Sequence, residues 1–245
     1  MKKIIEKLQA RKDLSLEESM EAAEKLSKEK GGTADAALFL MEFALKGYSA
    51  DEIVGFAQYA MQHTHQLNPS NKDQVVDIVG TGGDHSNTFN ISTAAAFVIS
   101  GADVPVAKYG NKSISSASGS SDVLEALGIN IYQDFDKIER GIEEIGLGFM
   151  SAPDFNKSFK NIAKLRRAMT MPTIFNLVGP LTNPVHPKYI AMGLYHLDLP
   201  EIFAEAAMKL GYERGMFFHG QGLDEITITG PTYVSELTEQ GIVYS

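Results

Sequence analysis

The feature that most constrains the fold is a change of sequence pattern near residue 70. Before it, two segments open with the serine–glutamate capping box that starts a helix, at Ser15/Glu18 and Ser49/Glu52. The polar stretch 66–74 contains a proline and is typical of a linker. After it, short apolar, β-branched runs alternate with helical segments. The pattern predicts an α/β fold with a small N-terminal all-helical domain and a mainly parallel central sheet flanked by helices.

The helical part of the chain supplies core residues and no recognisable chemistry. One of its segments begins at Thr33 and stops at Gly47, as a capped helix does. Apolar side chains recur along it at helical spacing, and we expect them to be buried. These are Leu38, Met41, Phe43 and Ala44.

Composition and charge exclude several classes of protein. The chain has 245 residues, a net charge of −9 and a sequence pI near 5.2, whereas a general nucleic-acid binder normally shows a basic face. Without cysteine it has neither disulfides nor thiolate metal sites. No apolar run is long enough for a membrane span, and "MKKIIEKLQARKD" returns to charge too soon for a signal peptide, so we expect a cytoplasmic protein. A local site for a small anion remains compatible with this acidic balance.

A glycine-rich loop follows the first apolar run of the α/β part. "GTGGDHSNTFNIST", residues 80–93, lacks the P-loop pattern, and His85 breaks the dinucleotide-binding fingerprint. Its glycine backbone, with Ser92 and Thr93 where a helix begins, favours a phosphate group. A tight strand-to-helix turn without a ligand is the alternative that spacing alone leaves open.

Two further segments favour an anion site with a metal. "KYGNKSISSASGSSD", residues 108–122, carries two lysines and many hydroxyls between a strand and a helix, although a Gly/Ser linker has a similar composition. The adjacent acids Asp224 and Glu225 can hold Mg²⁺ together with substrate phosphates. A solvated pair of acids is the simpler interpretation when this dipeptide is taken alone.

Six motifs, in order and spacing, resemble the anthranilate phosphoribosyltransferase family: "GTGGD", "TFNIST", "VAKYGN", "SGSSDVLEALG", "TIFNLVGPLTNP" and "GLDE". The resemblance covers nearly the whole chain, including the helical start "KGYSADEIVGF". It implies a helical domain over residues 1–69, with 156–185 packing back onto it, and an α/β domain over 70–155 and 186–245 that binds phosphoribosyl pyrophosphate. Family members continue past the residue at which this chain ends, so the resemblance implies that the C-terminal part of the α/β domain is lacking.

The resemblance also implies an activity. Family members are transferases of tryptophan biosynthesis that move a phosphoribosyl group from phosphoribosyl pyrophosphate to the amine of anthranilate and release pyrophosphate. They require Mg²⁺ and are homodimers joined through the helical domain. An aryl amine is already a nucleophile, so positioning and electrostatic stabilisation, with Lys108 as the electrostatic group, replace an acid–base residue.

Site residues follow by position from the same resemblance. Those implied to bind phosphoribosyl pyrophosphate are Gly80, Gly82, Gly83, Asp84, Thr88, Asn90, Ser92, Thr93, Lys108 and Ser120. Those implied to hold the metal are Ser92, Asp224 and Glu225. Those implied to border anthranilate are Tyr109, Asn111, Asn156, Arg166 and Gly179.

The acceptor side departs from the family pattern. Tyr109 stands where the family has histidine, and Asn156-Lys157 stands where it has His-Pro. The segment 170–172 reads Thr-Met-Pro where the family has Gly-x-Arg. These differences leave a changed aromatic acceptor as an alternative to anthranilate. A nucleoside phosphorylase and a non-catalytic relative that binds a protein or, through "KNIAKLRRAM", nucleic acid are further alternatives.

Overall fold

The computed structural model describes residues 1–29, 32–84, 86, 88–110, 119–169 and 171–245. Its helices are α1 (Lys2–Gln9), α2 (Leu16–Lys28), α3 (Ala34–Lys46), α4 (Ala50–Gln62), α5 (Ile91–Ser100), α6 (Ser120–Ala126), α7 (Phe135–Glu144), α8 (Ala152–Phe155), α9 (Ala163–Ala168), α10 (Ile174–Val178) and α11 (Leu199–Leu210). Its strands are β1 (Val76–Gly80), β2 (Val106–Gly110), β3 (Leu147–Ser151), β4 (Tyr189–Gly193), β5 (Arg214–Gly220), β6 (Thr232–Thr238) and β7 (Gly241–Tyr244). Short 3₁₀ segments cover Lys72–Gln74, Lys160–Ile162 and Gly179–Leu181.

The chain folds into two units. The helical unit comprises Met1–Thr64 and Asn156–Thr182, and the sheet unit comprises His65–Phe155 and Asn183–Ser245. Residues 65–69 and 183–185, which the sequence assigned to the helical side, belong to the sheet unit. Hydrogen bonds explain this assignment, because the Leu67 N–H donates to the Pro184 carbonyl and the His65 N–H donates to the Phe155 carbonyl.

Aromatic packing holds the helical unit together. Phe39 and Phe43 on α3 have ring centroids 5.2 Å apart, and Phe56 of α4 lies 5.7 Å from Phe43 and 6.0 Å from Phe175 of α10. All four side chains are buried. Their burial supplies the hydrophobic free energy that ordinary helix propensity does not.

The two predicted capping boxes are present. At the start of α2 the Glu18 N–H donates to Ser15 Oγ, and the Ser15 N–H donates to Glu18 Oε2. At the start of α4, Ser49 and Glu52 make the same reciprocal pair. The sequence pattern therefore located both helix starts correctly.

The predicted burial of α3 is wrong for two of its residues. Phe43 is buried, but Leu38 and Met41 are 38% and 46% exposed, and Leu45 one turn further is 59% exposed. The aromatic residues Phe39 and Phe43 take the inward face of this helix. Leu38, Met41 and Leu45 follow one another at helical spacing of three and four residues, so they form an outward apolar strip, here called the α3 strip.

The sheet has the strand order β3-β2-β1-β4-β5-β6-β7 among the described residues. The pairs from β3 to β5 are parallel, and β6 and β7 are added antiparallel at one edge. The predicted mainly parallel sheet is confirmed, and the antiparallel hairpin is an addition that the alternating pattern did not indicate.

A polar link lies within the sheet unit. The Asn183 amide donates to Asp77 Oδ2 on β1 and to the Ala107 carbonyl on β2, each at 2.8 Å. Asp77 is fully buried, and this burial raises its pKa to about 6. The link ties the residue at which the sheet unit resumes to two neighbouring strands, β1 and β2.

Within the described part of the chain, the helices are too short or too polar to cross a bilayer.

Candidate active site

Four parallel strands end in glycine at the same edge of the sheet. The last residues of β1, β2, β4 and β5 are Gly80, Gly110, Gly193 and Gly220. Gly80 and Gly193 are register partners on neighbouring strands. Carboxyl ends of parallel strands are where ligands bind in open α/β sheets, so this edge is the natural position for a site.

The acid pair, Asp224 and Glu225, lies directly against these glycines. A Cβ at Gly80 would lie 2.6 Å from Asp224 Oδ2. A Cβ at Gly193 would overlap the Asp224 carbonyl oxygen, and one at Gly220 would overlap the Glu225 carbonyl oxygen. Only residues without a side chain allow the acid pair to pack on these strand ends.

The glycine-rich loop binds the acid pair through its backbone. The Gly82 N–H donates to Asp224 Oδ2 at 2.6 Å. Gly82 and Gly83 have φ of +65° and +86°, the left-handed conformation that favours glycine. Two consecutive residues of this kind turn the chain sharply after β1 and direct the loop's N–H toward the carboxylate.

Three carboxyl groups meet at this point. Burial raises the pKa of Asp224 to about 6, and the neighbouring Asp84 carboxyl adds to the effect. Burial also raises the pKa of Glu225 to about 7, with repulsion by Asp224 as the second cause. For Asp84 burial acts upward as well, but hydrogen bonds from the Ser86 hydroxyl and N–H outweigh it and lower its pKa. The cluster therefore carries negative charge that a cation can neutralise.

Lys108 supplies positive charge near the same edge. Its side chain is 3% exposed, and its ammonium donates to the Ile78 carbonyl at 2.7 Å and to Ser92 Oγ at 3.2 Å. Burial lowers its pKa to about 8, while Asp77 and Glu225 act in the opposite direction. Lys108 and Ser92 are thus held together, as the prediction for a phosphate site requires.

The residues present fit Mg²⁺ bound together with phosphates. Among the described residues no three His, Asp or Glu side chains are arranged to enclose a metal by themselves. Mg²⁺ sites in nucleotide-type enzymes typically use one or two carboxylates and complete the shell with water and substrate phosphates. Asp224 and Glu225 are suited to that role, because burial and repulsion between neighbouring carboxylates raise their pKa values, and a bound cation would relieve that repulsion.

The start of α5 offers further donors. Its N-cap, Asn90, makes no side-chain capping bond, and the Ile91 N–H donates to the Phe89 carbonyl at 2.8 Å. The other N–H groups of a helix's first turn have no acceptor within the helix, which favours an anion there. Thr88 is exposed on the preceding loop. Thr93 differs from the prediction: its hydroxyl is buried and has no hydrogen-bond partner among the described residues, so it does not face a phosphate in this structure. Ser120, at the start of α6, lies with its Oγ against Gly110.

The implied acceptor residues are distributed over both units. Tyr109 lies in the sheet unit, where it is 4% exposed and packs with Leu67, Ile142 and Phe155 in the core. Successive residues of a strand point to opposite faces, so Tyr109 faces away from Lys108. The structure therefore does not support the acceptor role implied for Tyr109. Asn111 lies outside the described residues, as does Thr170 of the departing segment.

The remaining acceptor candidates lie in the helical unit. The Asn156 amide donates to the Ala60 carbonyl at 2.8 Å and to Thr64 Oγ1 at 2.7 Å, which are structural bonds. The Arg166 guanidinium stacks 4.5 Å from the ring centroid of Phe175. Burial lowers the pKa of Arg166 to about 10. Gly179 begins a 3₁₀ segment with open space where a Cβ would stand.

Among the acceptor candidates, Arg166 has a guanidinium whose N–H donors are available to a ligand. Among the described residues its side chain has no ion pair or hydrogen bond, so its charge is compensated only by the Phe175 ring. A half-buried cation without a counter-ion among the described residues favours binding of a small carboxylate.

Sequence reasoning did not identify the site residues whose role depends on their neighbours in the folded structure. Gly110, Gly193 and Gly220 provide room for site groups, and Ser86 stabilises the charge on Asp84. The available signal was that four of the apolar runs end in glycine. Which loop those glycines accommodate is set by strand order.

Family comparisons agree with this arrangement. Residues 72–245 match the glycosyl transferase family a/b domain, and residues 2–64 match the helical bundle domain of the same family. The chain is 44% identical over 244 residues to an anthranilate phosphoribosyltransferase of Acetivibrio thermocellus, covering 99% of this chain and 70% of that protein.

Solved structures show the same fold. The anthranilate phosphoribosyltransferase of Thermus thermophilus superposes with a TM-score of 0.88 at 34% identity, covering 99% of this chain and 72% of that one. The Saccharomyces cerevisiae enzyme, solved in complex with PRPP and Mg, gives a TM-score of 0.84 at 26% identity, covering 99% of this chain and 71% of that one. For another relative, from Methanosarcina mazei, this chain spans 64% of the length, so the expectation that it is shorter than its family is confirmed.

Both glycosyl transferase domains are matched, and the curated relatives are alike across nearly every residue of this sequence. The chain therefore belongs to the anthranilate phosphoribosyltransferase family.

Proposed function

We propose that this chain transfers a phosphoribosyl group from phosphoribosyl pyrophosphate to the amine of anthranilate, with release of pyrophosphate. The observation that carries the proposal is the sheet edge itself. There a lysine held against Ser92 and a cluster of mutually repelling carboxyl groups lie at the ends of the parallel strands. This pairing of a cation with a metal-binding acid pair suits a diphosphate bound with Mg²⁺.

The donor site acts by stabilising the negative charge of the leaving pyrophosphate. Bound Mg²⁺ supplies charge neutralisation for the leaving pyrophosphate. Lys108 and N–H groups of the first turn of α5 donate to phosphate oxygens, and this stabilisation increases as the bond to the ribose carbon breaks. The acid pair keeps its position through the Gly82 N–H. No side chain needs to remove a proton from the acceptor, because an aryl amine is nucleophilic in its neutral form.

The acceptor is also bound electrostatically, through its carboxylate. Arg166 carries a half-buried guanidinium whose ring partner, Phe175, leaves its donors available. A guanidinium binds a carboxylate with two parallel hydrogen bonds, which orients a planar aromatic acid. We assign Arg166 to the acceptor carboxylate on this basis.

Calorimetry tests the donor site. Titration with phosphoribosyl pyrophosphate should give binding that requires Mg²⁺ and that is weakened about tenfold or more in Asp224→Asn. Asp136→Asn is the matched control, since Asp136 is exposed on α7 of the same unit. The proposal is overturned if the parent chain does not bind the donor. Phosphate-dependent release of a free base would instead favour a nucleoside phosphorylase, and a strongly salt-dependent gel shift would favour nucleic-acid binding.

A changed aromatic acceptor is the second candidate. Burial of Tyr109 and the structural bonds of Asn156 favour it, because neither family-variant position offers its side chain to an acceptor. Turnover should be measured with anthranilate and a panel of other aromatic amines, with and without a carboxylate. Higher kcat/KM for anthranilate than for every other amine excludes this second candidate.

Two further predictions concern the whole protein. We propose a homodimer joined through the helical unit, supported by the α3 strip, an apolar helix face left exposed in the single chain. The cytoplasmic location remains a prediction from the sequence.

A further inference from the structure

The glycines that end β4 and β5 are not explained by backbone conformation. Gly193 and Gly220 are absent from the residues with positive φ, and both lie within regular strands. Any residue can adopt such backbone angles. The reason for glycine must therefore be space.

The space is taken by the backbone of the acid pair. At Gly193 a Cβ would overlap the Asp224 carbonyl oxygen and would also lie 3.1 Å from the Phe218 ring. At Gly220 it would overlap the Glu225 carbonyl oxygen and lie 2.9 Å from the Thr227 methyl group. A new methyl group at either position has no free volume to enter, so the acid pair must move.

The turn that carries the acid pair is itself fixed. The Gly220 N–H donates to the Leu223 carbonyl at 3.1 Å, and the Leu223 N–H donates back to the Gly220 carbonyl at 2.7 Å. Buried His219 links the turn to β4, because its Nδ1 donates to the Leu194 carbonyl at 2.7 Å and its Nε2 accepts from the Gly222 N–H at 3.4 Å. The turn therefore cannot slide along the strand ends without breaking these bonds.

We propose that Gly193 and Gly220 are positioning residues for metal binding. By carrying no side chain, they let the main chain of Asp224 and Glu225 rest on the strand ends, and this contact sets where the two carboxylates point. The inference rests on the proposed function, since it concerns the Mg²⁺ that accompanies the donor. Lys108 and Ser92 lie on β2 and α5, outside this contact, so their part of the site is independent of it.

Gly193→Ala is the main test, and Gly101→Ala is its control. Gly101 ends α5 in the same unit with φ −66°, and a Cβ there would meet carbonyl oxygens only at 3.3 and 3.5 Å. Calorimetry with Mg²⁺ and inorganic pyrophosphate should show Mg²⁺ affinity reduced by about tenfold or more in Gly193→Ala, the range seen when support of metal ligands is removed. Gly101→Ala should bind as the parent does. Thermal melts run alongside should show that Gly193→Ala remains cooperatively folded.

A double-mutant cycle separates positioning from general loss of stability. If Gly193 acts through Asp224, Gly193→Ala adds less than about twofold to the loss already caused by Asp224→Asn. A merely structural role predicts additive losses that follow the melting temperature. Gly220→Ala provides the second variant, since the segment after the acid pair is exposed at Ile226 and Ile228 and can shift without unfolding the sheet.

The outcomes distinguish the two proposals. A parent chain without Mg²⁺-dependent binding of pyrophosphate or phosphoribosyl pyrophosphate overturns the proposed function and this inference with it. Mg²⁺ binding in the parent that both glycine variants keep within about twofold, or additive losses in the cycle, overturns the inference alone.

Discussion

At the scale of single residues, three shifted pKa values determine how the proposed site should respond to pH. Burial lowers the pKa of Lys108 to about 8 and raises those of Asp224 and Glu225 to about 6 and about 7. The acids bind a cation only when deprotonated, so Mg²⁺ affinity should rise as pH increases through 6 and 7. The lysine binds phosphate only when protonated, so donor affinity should fall as pH increases through 8.

These opposite signs predict that Mg²⁺-dependent donor binding is strongest between pH 7 and 8. Calorimetry from pH 5.5 to 9.5 in buffers of equal ionic strength measures the profile. Lys108→Arg is the diagnostic variant, because a guanidinium stays charged over this range and should abolish the fall above pH 8. A parent profile that is flat above pH 8 contradicts the assignment of Lys108.

Arg166 gives a second prediction at this scale. Its charge is half-buried and has no counter-ion among the described residues. Replacing it by the neutral Arg166→Gln should therefore leave the melting temperature unchanged or raise it, while the KM for a carboxylated acceptor increases about tenfold or more. Donor affinity, measured by calorimetry, should be unaffected. A lower melting temperature with an unchanged KM would show that Arg166 is structural.

Some residues of the candidate site could be predicted from the sequence, and others depend on the order of the strands in the sheet. The glycine-rich loop could be singled out by its residue types, whereas the acid pair was assigned its role through the family resemblance. Gly193 and Gly220 could not, since their role depends on β4 and β5 lying beside β1. Tyr109 shows the limit of carrying a role over by position: the neighbouring Lys108 faces the site, and the pleat of the strand turns Tyr109 into the core.

At the scale of elements, capping patterns predicted where the helices start, but not how much each capping box contributes to the free energy of unfolding. Both capping boxes are formed, yet Glu52 is buried and Glu18 is not. Glu52 also accepts from the Leu14 N–H at 2.8 Å and from the Lys46 ammonium at 2.9 Å. These partners come from other segments of the helical unit, so no local pattern could reveal them. The β6–β7 hairpin was missed for a related reason, because it adds strands to an edge that only the assembled sheet defines.

The difference between the two boxes predicts unequal costs. Glu52→Ala leaves the Leu14 and Ser49 N–H groups without this acceptor, and the Lys46 ammonium keeps only its pairing with Asp13. The change should lower the free energy of unfolding by about 2–4 kcal/mol. Glu18→Ala, the matched variant in α2, removes an ordinary cap and should cost about 1 kcal/mol. Urea unfolding followed by far-UV circular dichroism measures both. Equal costs would contradict the role assigned to Glu52 as the buried anchor of α4.

At the scale of the whole molecule, the α3 strip predicts the oligomeric state. Phe39 and Phe43 occupy the inner face of α3, and Leu38, Met41 and Leu45 are exposed on its outer face. Association of two copies would remove this apolar surface from water, and a single central charge should oppose that association. Met41→Glu is therefore expected to convert a dimer into a monomer without loss of helix content. Met208→Glu, on the exposed side of α11 in the sheet unit, is the matched control and should remain dimeric.

Sedimentation velocity of the parent and both variants over a range of concentrations decides the question. A dimeric parent, a monomeric Met41→Glu and a dimeric Met208→Glu are expected, because only Met41 lies on the α3 strip. A parent that is monomeric at every concentration contradicts the predicted homodimer. A Met41→Glu variant that stays dimeric would show that the interface does not include α3. Loss of the dimer in Met208→Glu would show that the interface lies in the sheet unit.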